Sequence, residues 1–363
     1  MTGLTYTDAM GGALDRLRSV GYEHGTMLVN HAPMAAEAMA TLGYADDIAT
    51  WVEGNLAQRR YKDLPTPRFR LSAADEADWR PALGDFDRVT DWWEMFDREL
   101  AGKPWQEVLV TWWPRLVPGM SGVMTHGVIR TAHAVRGIAQ ATGDDLLYRG
   151  ELAHGLGYWA ARYSIRDAQA VQAQAVQTQA VGEQAVQAQA VEEQAVGAQA
   201  VGVQARGAVA GRSPDAAFAA LDELVADSCG HYARTPAGHP VPLIHAITGP
   251  AAVRLVLPHL PADQRWTSYL AARHCSFGIR GYYGPSPGPV VPEGPTVARP
   301  GSMPPPAGQL VAEAVELGDE HAIKLAEVAV RHQALLPDDR YAAAANAATL
   351  RLRGFLRSHS FYD

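Results

Sequence analysis

The sequence predicts an all-α protein, a single large multi-helix, bundle-like domain spanning residues 1–363. Three observations carry that prediction. Apolar residues recur at helical spacing in segment after segment. Capping residues and early prolines open those segments, and glycine or proline closes them. The composition, 47 % hydrophobic and 19 % charged, is that of a folded globular chain with a large core. A formal charge of −8 gives no electrostatic reason to expect nucleic acid. No basic segment with an apolar run opens the chain, and no stretch approaches about 18 apolar residues. The expectation is a soluble, cytoplasmic protein with no membrane partner. Two cysteines, Cys229 and Cys275, cannot make a disulfide framework or a cysteine zinc site. Any metal would therefore take nitrogen and oxygen ligands.

Taken in order, residues 5–20 read as a helix capped by Thr7 or Asp8, with Ala9, Leu14, Leu17 and Val20 periodic. A turn over 21–25 precedes a helix within 27–43, where Pro33 suits a first turn and Gly43 a stop. His31 lies at the mouth of that helix beside Asn30, where the positive dipole end favours a neutral imidazole. Residues 45–60 form a further helix, ended by a proline-rich loop. Trp92 and Trp93, then Trp105, Trp112 and Trp113, form an aromatic cluster that either lines a pocket for a flat apolar substrate or is core.

Helices over 121–140 and 144–164 follow. In the first, His126 and His133 stand seven apart, close to two turns, so both project from one stripe, with Arg130 between them. Gly127, Ala132 and Ala134 allow close helix approach. Two histidines on one stripe serve equally as metal ligands or as core residues bonded to carbonyls. From 169 to 201 the triplet Gln-Ala-Val recurs with a five-residue period. Each step turns about 140° around a helix, so the valines never form a stripe. Residues 168–210 thus read as a low-complexity surface insertion, helical or disordered, without chemistry of its own.

A helix from about 213 to 233 follows, then an apolar helix over 240–260 that holds His245 and Thr248. A histidine in such a run needs a carbonyl, carboxylate or metal partner. A helix over 264–277 leads to a Gly/Pro-rich loop, 278–308, placed to act as a lid. Residues 316–336 read as helical throughout, with His321 and Lys324 on one face. A buried, neutral lysine acts as a base, forms an imine or takes up CO2 as a carbamate; a solvated one simply extends past Glu320 or Glu327.

The segments NHAPMAAEAM, THGVIRTAHAVR, PLIHAITG and DEHAIKLAEVA, in that order, resemble the questin oxidase-like family, over about residues 5–357 apart from the insertion. The resemblance implies an all-α oxidoreductase that opens a ring of an aromatic polyketide, such as an anthraquinone, with O2. Family members are described as flavin-free oxidases or as non-haem iron dioxygenases with a histidine-rich site completed by a carboxylated lysine. Carried onto this chain, the ligand candidates are His31, His126, His245 and Lys324. His133 and His321 join them less directly: where the family pattern has a histidine four after the first, this chain has Arg130. His133 would replace that ligand, or Arg130 would turn the site toward an anionic substrate. Arg130, Trp112, Trp113 and Thr248 are substrate-pocket candidates, and His24 and His154 candidates for orienting ligands. Fe(II) suits such a donor set, with NADPH as a candidate electron source and no flavin or haem motif in the chain. Two rival readings use the same residues: a metal-dependent hydrolase, and a non-catalytic helical protein whose histidines are structural.

Overall fold

The computed structural model describes residues 3–25, 27–141, 145–165, 215–235, 240–284 and 304–359. The Gln-Ala-Val repeat lies outside the described residues, as does 285–303 of the Gly/Pro-rich segment. Among the described residues there are fourteen α-helices and one two-stranded hairpin, so the fold is all-α.

The first helix, α1 (Tyr6–Leu17), is capped not by Thr7 or Asp8 but by Thr5, whose hydroxyl accepts from the Asp8 N–H, and it ends before Val20. A short hairpin, β1 (Glu23–His24) and β2 (Leu28–Val29), pairs in antiparallel register, Glu23 with Val29 and His24 with Leu28. It delivers the chain to α2 (Ala32–Thr41), with Pro33 in its first turn as the sequence suggests. Then come α3 (Ile48–Gln58), the single turn α4 (Glu76–Trp79), α5 (Val89–Gly102) and α6 (Trp105–Leu116). Next are α7 (His126–Gln140), α8 (Leu146–Ala161), α9 (Ala216–Arg234), α10 (Pro240–Val256) and α11 (Ala262–Tyr283). The chain closes with α12 (Ala307–Leu317), α13 (Glu320–Leu335) and α14 (Asp339–His359).

Three further expectations are corrected. The helix expected over 316–336 is two, because Gly318 takes a left-handed φ of 73° and Asp319 opens α13 by accepting from the His321 and Ala322 N–H groups. The loop expected from 278 begins later: α11 runs through Tyr283, and α12 starts at Ala307. An apolar stretch was also underrated, since Pro240–His259, with mean hydropathy 1.4, is long and apolar enough to cross a membrane. It is 83 % buried inside this protein, where α10 packs against α7, α9 and α11.

The core has three parts. One is rich in tryptophan and joins α5, α6 and α8; one joins α9, α10 and α12–α14; the third joins α1–α3. Helices α7 and α8 cross closely, and a Cβ on Gly127 would meet the Trp159 backbone at 2.7 Å. That crossing fixes the start of α7. Helices α2, α7, α10 and α13 pack on one another, and each carries one histidine into their common junction.

Candidate metal centre

His31, at the N-cap of α2, has no capping hydrogen bond of its own. The neighbouring Asn30 caps instead, its Oδ1 accepting from the Ala32 N–H at 3.0 Å. The His31 ring is thereby released into the interior. His126 opens α7, His245 lies one turn into α10 and His321 is the second residue of α13. All four are buried, and each brings one ring nitrogen to within 4.8 Å of the others. A cluster of four buried histidines able to hold a metal ion is therefore present.

The ring nitrogens show how it would be held. The Nδ1 of His126 faces the Val123 carbonyl, and that of His245 faces the Val241 carbonyl at 3.1 Å. A carbonyl only accepts, so each Nδ1 is assigned the hydrogen and each Nε2 a bare lone pair. Those two Nε2 atoms are 2.9 Å apart, and the Nε2 of His31 is 2.7 Å from that of His126. Lone pairs at such distances repel unless a cation or proton lies between them. Two nitrogens bound to one ion at about 2.1 Å and at right angles would be about 3 Å apart, so these spacings fit a shared ion. The donor set is four imidazoles; one of them, His321, and the buried Lys324 three residues on await a partner. Neither ring nitrogen of His321 has a hydrogen bond, its Nδ1 lying 3.4 Å from Asp319 Oδ1 but out of line, and the buried Lys324 Nζ has none either.

Burial keeps the imidazoles of His31, His126 and His245 uncharged. Burial pushes His126 down to about 3 and holds His31 and His245 well below the ordinary range, with nearby Lys324 adding to each. Lys324 itself is lowered to about 8 by burial, while Glu320 and Asp319 act the other way. Neutral imidazoles are the form that binds metal.

The residue before α7 explains the aim of His126. Val123, Met124 and Thr125 have φ of 46°, 53° and 67°, a left-handed run without glycine. Such residues cost about 1–2 kcal/mol each, and they persist only where the surroundings over-determine them. Here Gly249 of α10 lies so close that a Cβ would meet Thr125 Oγ1 at 2.9 Å. The turn places the Val123 carbonyl under the His126 Nδ1.

The four histidines open onto a cavity of about 730 Å³. Its walls come from β2, the left-handed turn, the residues after α8 and the later half of α11, and are mostly apolar. Val123, Met124, Ile279, Tyr282 and Tyr283 lie on these walls, and Tyr283 Oη contacts Met124 Sδ at 3.9 Å. Among the described lining residues there is no aspartate or glutamate.

The other candidates lie elsewhere. His133 is two turns, about 10 Å, along α7 from His126, too far to share an ion. Its Nδ1 instead meets Glu37 Oε2 at 2.6 Å, in a buried network with Arg136. Arg130 is not in the cavity but is paired with Glu151 at 2.7 and 2.8 Å, over the Tyr22 ring. Thr248 donates to the Ile244 carbonyl within α10. Trp112 packs edge-on against Trp79, Trp92 and Phe96, and Trp113 against Trp159 with a 2.8 Å bond to Ser268 Oγ. Both tryptophans are core, fully buried in the tryptophan-rich cluster and absent from the cavity lining. His154 bonds Tyr22 Oη at 2.6 Å and stacks on Trp93, and His24 packs on Tyr61, so neither orients a ligand. That role falls to the carbonyls of Val123 and Val241, with Asp319 and Glu320 standing 3.4 and 3.5 Å from the outer nitrogens of His321 and His31. The two carboxylates stand immediately before His321 in the sequence, a signal that a ligand-and-support pattern could have revealed.

Compared with known proteins, the chain matches no family model, and no curated protein matches it.

Proposed function

We propose that this protein is an iron-dependent oxygenase of questin oxidase-like type, opening a ring of an aromatic polyketide with O2. The observation that supports the reading is the convergence of four buried imidazoles, two of them turned by backbone carbonyls, at the floor of a large, mostly apolar cavity, with an unpartnered lysine one helical turn past His321. His31, His126, His245 and His321 would hold the ion. Lys324 would complete the set as a carbamate, its neutral amine adding to CO2 with release of one proton. Four nitrogens and an anionic oxygen suit Fe(II). Iron bound there would supply the means of engaging O2, which does not react readily with closed-shell aromatics unaided.

The protein's own residues supply the rest. Tyr282, Tyr283, Met124 and Ile279 present the apolar and aromatic surface that a flat polycyclic substrate buries. The mostly apolar walls limit water beside a bound substrate. The Val123 and Val241 carbonyls hold two ligand rings in one tautomer throughout. Ring cleavage with both oxygen atoms retained draws its electrons from the substrate; retention of one atom sends the other to water and needs two electrons from a donor such as NADPH. A hydrolytic use of the same ligands would want a general base; the described cavity walls carry no carboxylate, and His274 is the candidate there.

The test is to purify the untagged protein anaerobically with Fe(II) and count metal per chain for the wild type and His245→Ala. About one iron per wild-type chain, lost in the variant, is expected, with O2 uptake on hydroxyanthraquinones. Zinc in place of iron with no O2 uptake would favour hydrolysis. Wild-type protein without stoichiometric metal would end the metal reading.

A further inference from the structure

Behind the histidine cluster, on the side away from the cavity, two consecutive carboxylates address two different ligands. Glu320 Oε1 lies 3.5 Å from the outer nitrogen, Nδ1, of His31 on α2. Asp319 Oδ1 lies 3.4 Å from that of His321 on α13. Asp319 is held by the chain itself, accepting from the His321 and Ala322 N–H groups at 2.8 and 3.2 Å. Glu320 is held differently. Arg59, just past the end of α3, donates from Nη2 to both of its oxygens, at 3.0 and 2.8 Å. The same corner is pinned by Trp51, whose Nε1–H donates to the Gly318 carbonyl at 2.9 Å.

This corner faces solvent. A small cavity of about 230 Å³ lies there, lined among others by Trp51, Arg59, Asp319 and Glu320. The Arg59 side chain is 23 % exposed and Glu320 only 8 %. Arg59 thus touches neither the ion site nor the substrate cavity, yet it fixes the carboxylate that faces a ligand.

We propose that Arg59 is a positioning residue for the metal centre, acting through Glu320 on His31; this rests on the metal reading above. One guanidinium nitrogen, Nη2, meets both Glu320 oxygens, and this charge-assisted contact restrains the carboxylate where it faces His31. With Glu320 fixed, the His31 Nδ1 keeps its hydrogen toward the carboxylate and its Nε2 toward the cluster. Without Arg59, Glu320 turns toward the solvent cavity or toward Lys324, and His31 is free to rotate. Changes in groups that orient a metal-bound histidine weaken metal affinity by about 10–100-fold. Arg59 is partly exposed and Glu320 adjoins the small solvent cavity, so water can take the place of the guanidinium when Arg59 is removed, and the protein still folds.

The experiment titrates Co(II) into the metal-free full-length protein, following the visible absorption bands and the melting temperature before and after loading. The variants are Arg59→Ala, Arg59→Lys and Glu320→Gln, with Arg16→Ala at an exposed ion pair as control. Arg59→Ala should bind Co(II) at least about 10-fold more weakly, with shifted bands, in a metal-free protein that still melts cooperatively. Arg59→Lys should recover part of the affinity, Glu320→Gln should follow Arg59→Ala, and Arg16→Ala should match the wild type. Arg59→Ala with affinity within twofold of the wild type and the same bands would overturn the proposal while leaving the metal reading intact. A wild type that binds no Co(II), or that keeps its full affinity after His245→Ala, would remove both. Should Arg59→Ala misfold, Arg59→Lys and Glu320→Gln decide the matter by the same readings.

Discussion

Two buried polar assemblies share helices α2, α7 and α13, and they differ in completeness. In the first, Arg136 donates to Glu37 and Glu327, His133 meets Glu37, and Arg331 donates to Glu327 at 2.8 Å. Each charge there has an opposite charge in contact. In the second, around His126, lone pair faces lone pair, and His321 and Lys324 lack hydrogen bonds. Six residues separate His31 from Glu37 and His321 from Glu327, about 9 Å along a helix in each case. Both assemblies are buried, so environment does not distinguish them. One is finished by the chain, and the other is finished only by something the chain does not encode. Completeness, rather than burial, separates a structural polar network from a binding site.

Breaking the complete assembly should have the largest effect. Arg136→Met leaves Glu37 and Glu327 buried without their shared guanidinium and should cost about 3–5 kcal/mol. A lowered denaturant midpoint at unchanged slope would show it, and an unmoved midpoint would contradict the described burial.

Acid should come next. Burial holds His154 and His332 at about 3, with Arg130 and Arg331 respectively adding to the effect, so the unfolded chain takes up those protons first. Stability is then whole above about pH 6.5 and falls as the pH drops, by about 2 kcal/mol per histidine at pH 5. Burial would raise Glu37, but Arg136 and His133 hold it down at about 2, so its contribution stands above pH 4.5 and is lost below. Unfolding of the metal-free protein between pH 7 and 4 checks the sign.

The incomplete assembly should respond in the opposite direction. Lys324→Met removes an unpartnered buried amine, and the metal-free protein should gain about 1–3 kcal/mol. The same change should abolish stoichiometric metal. Loss of stability with metal retained would show that Lys324 belongs with the structural network.

The smallest effect is expected in the tryptophan core. Trp113→Phe loses one hydrogen bond to Ser268, about 1 kcal/mol, and should leave Co(II) affinity untouched. A weakened affinity would mean that core and site are coupled.

Most helices were legible because their ends are written locally. Pro33 and Gly43 mark α2 within a few residues of where it begins and ends, whereas α1 is capped at Thr5, ahead of the Thr7 or Asp8 that the sequence suggests. Helix α14 was not read, since its alanine-rich opening carries little pattern. The histidines show where local reading stops. Spacing placed His126 and His133 on one face, but a face says nothing of the neighbour across it. That neighbour is three other histidines for the one and Glu37 for the other. His321 joins the cluster because Asp319 starts a new helix at that point, a break that the continuous pattern over 316–336 concealed. Trp112 and Trp113 were open to either reading, since an aromatic cluster lines a cavity or fills a core with the same residues.

Val123 belongs to both sides of the centre. Its carbonyl receives the His126 Nδ1, and its side chain is part of the cavity wall. Any molecule that presses on that wall presses on the peptide that aims a ligand. In linkage terms the two sites then share one coupling free energy, and the coupling is reciprocal. Whatever an occupant of the cavity does to affinity at the histidines, an occupant of the histidines does in equal measure to affinity in the cavity.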